Sequence, residues 1–138
     1  MIIDPSGKPA SSKKVILCTI PHTGTWFFGK LLKDHGVDVK AQHCTFNGEK
    51  RMRKAIEDGA ILVTTYRDFQ FVTNSWVKRG RDMATLSEHL ECWYRLFEFE
   101  PIIVSVDNNR EMRLELLSAV LDVDLQTDWT PVNVTEVN

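Results

Sequence analysis

The sequence predicts an α/β fold, a three-layer sandwich in which helices cover both faces of a short parallel sheet. Two observations carry this. Short apolar runs, Val15–Ile20, Ala60–Tyr66 and Ile102–Val106, alternate with segments whose apolar residues recur at helical spacing. Ala60–Tyr66 is also apolar on both faces, as in a strand covered on both sides, and strands joined by helices are generally parallel. A third observation fixes the first connection. Gly24 follows the first strand and precedes a helical pattern, a position suited to a tight strand-to-helix turn.

The elements follow in order. Residues 5–14 read as a flexible lead-in within a 1–14 extension, and residues 126–138 as a peripheral tail without a clear period. The first strand is Val15–Ile20. A helix from about Thr25 to His35 turns Phe27 and Leu31, with Phe28 and Leu32, inward, and Gly36 caps it. Residues 37–41 form a second strand. Asn47 caps a charged helix that stops at Gly59. Ala60–Tyr66 is the third strand, and a helix spans about Gln70 to Arg79. Thr85-Leu-Ser-Glu88 has the form of a capping box opening a helix with Leu86, Leu90, Trp93 and Phe97 on one stripe, ended by Pro101. Residues 102–106 are the fourth strand, and Asn108-Asn-Arg-Glu111 is a second capping box before Leu114, Leu117, Val120 and Leu121.

Size and composition narrow the function. A chain of 138 residues is one domain, 1–138, with a single real core. A formal net charge of -2 argues against a generic polyanion binder, so no nucleic-acid partner is expected. The basic clusters Lys50–Lys54 and Lys78–Arg81 read either as solvated helix faces or as local phosphate holders. No apolar run approaches the roughly 18 residues of a membrane span, and the N-terminus lacks the pattern of a signal peptide. The expectation is a soluble, cytoplasmic protein. Cys18, Cys44 and Cys92 are an odd set without C-x-x-C spacing, which supports neither a disulfide framework nor a zinc site. Cys18 reads as a small core residue. A Gly7-Lys8 pair is no Walker loop, since Pro9 follows it and no strand and helix frame it.

In a parallel sheet ligands gather at the carboxyl ends of the strands. Those ends offer Pro21, His22, Thr23, Gly24, Thr25 and Trp26, then His43, Arg67-Asp68 and Asp107. A glycine turn opening a helix presents amides and the positive end of a dipole to an anion, and Thr23 and Thr25 add hydroxyl donors. The same pattern also serves as a plain strand-turn-helix corner. Arg67 ends a strand and Ser75 lies eight positions on, so guanidinium and hydroxyl can meet one phosphate. His35 and His89 read as helix-surface residues, and no metal site is expected.

In these segments, taken in order, the chain resembles the sulfotransferase family of the P-loop superfamily. Thr19-Ile-Pro-His-Thr-Gly-Thr25 is similar to the family's 5'-phosphosulfate loop, Y-P-K-S-G-T-T. Residues 67–75 match the Arg-to-Ser spacing of its 3'-phosphate motif, and residues 102–107 with 121–125 resemble its later strand, acidic turn and closing helix. The resemblance spans most of residues 15–125 and implies a P-loop-containing sulfotransferase-like core. It also implies 3'-phosphoadenosine 5'-phosphosulfate as cofactor and sulfuryl transfer to a hydroxyl or amine acceptor. Residues 21–26 would then hold the 5' end, and Arg67 and Ser75 the 3'-phosphate. His43 would be the base, as in a K-x-H strand with spacing loosened by one; the alternative is a surface loop histidine.

The chain departs from the family at defined positions. His22 stands where the family has a lysine that meets the leaving phosphate, and Trp26 brings an aromatic one position early. Phe69 and Phe71 replace the usual proline and aspartate, and the late Gly-x-x-Gly-x-x-Lys loop is absent. A protonated histidine can supply the missing cation, whereas a neutral one supplies a single hydrogen bond. The length resembles the short versions carried by phages and bacteria. Two alternatives remain open: a non-catalytic nucleotide-binding or protein-interaction module on the same fold, and a small P-loop phosphotransferase, although the Walker lysine and its following Ser/Thr are missing.

Overall fold

A computed structural model describes residues 2–3, 9–10, 13–21, 23, 25–105 and 114–125. His22, Gly24, Asp107, the 108–111 capping box and the 126–138 tail lie outside the described residues. The elements run β1 (Ile2–Ile3), β2 (Pro9–Ala10), β3 (Lys14–Thr19), α1 (Thr25–Asp34), β4 (Asp38–His43), α2 (Glu49–Glu57) and β5 (Ile61–Tyr66). They continue with α3 (Phe69–Lys78), α4 (Met83–Arg95), a 3-10 turn (Leu96–Phe99), β6 (Ile102–Ser105) and α5 (Glu115–Leu121). Strands β4, β3, β5 and β6 form one four-stranded sheet in that order, every pair parallel. Within the lead-in, β1 pairs antiparallel with β2, an element too short to announce itself by periodicity.

Alternation along the strands divides the core between two faces. Val15, Leu17, Val39, Val63 and Val104 pack with Phe28 and Leu32 of α1 and with Leu117 and Leu121 of α5. Ile16, Cys18 and Leu62 face the other way, onto Met52 of α2, Val72 and Trp76 of α3, and Leu86 and Trp93 of α4. This is the three-layer arrangement that strands apolar on both faces require. Each large side chain so buried contributes about 1.5–3 kcal/mol of transfer free energy. Among the described residues, no helix is long and apolar enough to cross a membrane.

Helix ends show where local chemistry was read correctly and where it was not. Gly36 takes φ 77°, and the Val37 amide donates to the Leu32 carbonyl at 3.0 Å, closing α1 in the left-handed turn that glycine permits. The inner stripe of α1 is Phe28 and Leu32, with Phe27 and Leu31 at its flanks. The cap expected at Asn47 falls instead at Gly48, whose amide donates to Thr45 Oγ1 at 3.0 Å. Likewise α4 opens before Thr85, because Asp82 accepts from the Ala84 amide at 3.2 Å and so starts the helix one turn earlier. Strand β4 extends to His43, which makes this histidine the end of the strand.

Candidate functional site

Among the described residues, the carboxyl ends of the strands carry Pro21, Thr23, Thr25, Trp26, His43 and Arg67 along one rim. The β3–β4 register pairs Thr19 with His43, and adjacent strands lie about 4.8 Å apart. Arg67 follows β5 on the other side of β3. Because α1 begins shortly after β3 ends, its first turn, whose amides have no carbonyl partner earlier in the helix, opens at this rim. Pro21 is buried, and Trp26, the second residue of α1, is 67 % exposed.

A relay of threonines holds the turn. Thr19 Oγ1 and Thr25 Oγ1 lie 2.6 Å apart, tying the end of β3 to the start of α1. Thr23 Oγ1 donates to the Ile20 carbonyl at 2.5 Å and lies 2.7 Å from Thr65 Oγ1 of β5. A hydroxyl has one proton, so with Thr23 donating to Ile20 it is Thr65 that donates to Thr23. The Thr23 hydroxyl is thereby engaged inside the protein rather than aimed at an anion, which differs from the donor role read from the sequence. Thr19, Thr23 and Thr65 are all buried. On the opposite face of β5, Thr64 Oγ1 accepts from Trp93 Nε1 at 3.0 Å.

The second part of the site is the junction of β5 and α3. Asp68 caps α3 by accepting from the Gln70 amide at 2.8 Å and the Phe71 amide at 3.2 Å. Arg67 is only 6 % exposed, and its guanidinium carbon lies 3.5 Å from the centroid of the Phe71 ring. Phe71 thus gives the cation an aromatic floor. Ser75, four residues beyond Phe71, lies on the same stripe of α3 and is buried.

His43 has a different neighbourhood. Its ring meets that of His89 edge to face, with centroids 6.1 Å apart. Desolvation on its packed side, then the nearby His89 and Arg81, hold its imidazole below the usual histidine range. His89 is not the surface residue expected from the sequence. It is 6 % exposed, its Nδ1–H donates to the Cys44 carbonyl at 2.6 Å, and its ring meets Trp76 edge to face at 5.6 Å. Its place on the stripe Leu86, His89, Trp93 was the available signal, since these residues share helical spacing. His35, also expected at the surface, is half-buried and bonds the Leu31 carbonyl at 2.8 Å through Nδ1.

The structure therefore brings together Thr19, Thr23, Thr25 and Thr65 around the turn, and Arg67 and Phe71 at the start of α3, with Ser75 about one helical turn beyond Phe71. His43 stands beside Thr19 in register and packs against α4. Three contributors were missed. Thr64 and Thr65, polar residues inside an apolar strand, signalled internal partners; Phe71 carried no signal of its role beyond its spacing from Arg67. No family model matches the chain, and no curated protein or solved structure matches it.

Proposed function

We propose that the chain is a sulfotransferase-like protein that binds 3'-phosphoadenosine 5'-phosphosulfate, or its product, at the carboxyl rim of the sheet. The observation that carries this reading is the buried Arg67 after β5, stacked on Phe71, with the first turn of α1 opening at the same rim. A buried guanidinium suits bidentate phosphate binding, and a helix N-terminus suits a second anionic group. A ligand with phosphates at its 3' and 5' ends satisfies both. In this reading residues 21–26 hold the 5' end, and Arg67 with Ser75 the 3'-phosphate. His43, kept neutral by its surroundings, has a lone pair available for the acceptor's proton. His22 takes the leaving-group position, and its charge sets the rate there.

The second reading is a non-catalytic nucleotide-binding module, favoured by histidine at position 22 in place of the family's lysine. Transfer of labelled sulfuryl groups across a panel of hydroxyl and amine acceptors separates the two. The enzyme reading expects turnover that His22→Lys keeps or increases at neutral pH. Tight binding of adenosine 3',5'-bisphosphate without turnover, in the same samples and also in His22→Lys, favours the binder.

A further inference from the structure

The three cysteines, scattered in sequence, converge in the layer between the sheet and helices α2 and α4. Cys18 lies on β3, Cys44 follows β4 and Cys92 is on α4; all three are buried and none is in a disulfide. Cys18 Sγ and Cys44 Sγ are 3.6 Å apart and share a hydrogen bond. A cavity of about 10 Å³, room for one water-sized molecule, is lined by all three cysteines and by Gln42, Thr45, Glu49 and Arg95. Arg95 and Glu49 form an ion pair at 3.0 Å beside it, with side chains partly open to solvent.

We infer that Cys18 and Cys44 are a redox modification site, an oxidisable dithiol that closes to an intramolecular disulfide with a small peroxide as oxidant. The two sulfurs need to approach from 3.6 Å to about 2.05 Å, a shift of roughly 1.5 Å. The pair is also polarised. The hydrogen bond from the Cys44 thiol, opposed by burial and helped by the Gln42 amide at 3.8 Å, lowers the pKa of Cys18, while the same bond and burial raise that of Cys44. Cys18 is thus the nucleophile. Its thiolate attacks one oxygen of hydrogen peroxide, breaking the O–O bond to give a sulfenic acid and hydroxide. Cys44 sulfur then attacks that sulfenic sulfur and water leaves. In total two thiols lose two electrons and two protons, and one peroxide becomes two waters. What selects Cys44 as the partner is its sulfur contact with Cys18, not its acidity; Cys92 is pushed up to about 11 chiefly by desolvation and is outside the proposed pair. The disulfide would tie together the ends of β3 and β4, which carry Thr19 and His43. The inference does not depend on the proposed transferase activity.

The test is intact-mass spectrometry and disulfide mapping of the folded full chain after hydrogen peroxide treatment and alkylation. The expected result is a species 2 Da lighter before alkylation and short of two alkyl groups after it, mapped to Cys18–Cys44 and reversed by dithiothreitol, present in Cys92→Ser and absent in Cys18→Ser and Cys44→Ser. In Cys44→Ser, whose hydroxyl can still donate to the Cys18 sulfur but cannot close a disulfide, a dimedone adduct should form at Cys18 when dimedone is added with urea after the peroxide is removed, which covers the case of a poorly folded Cys18 variant. Oxidation that appears only after unfolding in urea, or a bond that uses Cys92, overturns the inference.

Discussion

Replacing Thr23 and Thr65 with valine, singly and together, tests whether the turn after β3 is held by the hydroxyl relay. Thr65→Val deletes the donor that serves Thr23 but leaves the Thr23 bond to the Ile20 carbonyl in place, so its cost is that of one net hydrogen bond, about 1 kcal/mol. Thr23→Val strands two buried groups, the Ile20 carbonyl and the Thr65 hydroxyl. At about 1–2 kcal/mol each, its cost is roughly 2–4 kcal/mol. The double variant removes the stranded Thr65 hydroxyl as well and leaves only the Ile20 carbonyl unpaired, so it should be more stable than Thr23→Val by about 1–2 kcal/mol, with a coupling of about 2–3 kcal/mol. For a domain of this size each kcal/mol moves the Tm by roughly 3–5 °C. Urea denaturation with a constant m-value gives the free energies directly. Costs that add to within about 0.5 kcal/mol would mean that the two hydroxyls do not act as a pair, and the relay would be wrong.

Two further perturbations follow from the same geometry. Asp68→Ala removes the acceptor for the Gln70 and Phe71 amides and should cost about 1 kcal/mol by urea denaturation, whereas Asp68→Asn should recover most of it; equal losses in both would deny the cap. His43 has a folded pKa below its unfolded value, so the unfolded chain binds the extra proton first as pH falls. Its contribution to stability is therefore present above about pH 6.5 and lost as pH falls through the lowered folded pKa. If His43 is also the base, transfer falls over the same acidic range. NMR titration of the imidazole checks the sign, and a pKa above 6.5 would contradict it.

The parts of the fold that were legible are those in which one residue decides. Gly36 closes α1 because few other residues adopt its φ of 77°, and the doubly apolar β5 could only sit inside a covered parallel sheet. Helix starts were less legible where several polar residues competed. The start of α4 depends on which side chain reaches an amide, and Asp82 won over Thr85; α2 starts from Gly48, which has no side chain to cap with, rather than from Asn47. In the site, chain order exposed Arg67 and its spacing to Ser75. It did not expose the contacts made across elements, Thr23 with Thr65, Phe71 beneath Arg67, or His89 with the Cys44 carbonyl. Those partners come from different strands and helices, and only packing brings them together.

The most direct test of the central claim is calorimetric titration of the full chain with adenosine 3',5'-bisphosphate, 5'-AMP and ATP. A hydrogen-bonded phosphate on a buried guanidinium is worth about 1.5–3 kcal/mol, or roughly 10–150-fold in Kd. The account predicts that the bisphosphate binds at least tenfold more tightly than either other nucleotide, and that Arg67→Ala, shown to be folded by its melting curve, brings it level with 5'-AMP. Equal affinity for all three nucleotides, or a preference that survives Arg67→Ala, would contradict it.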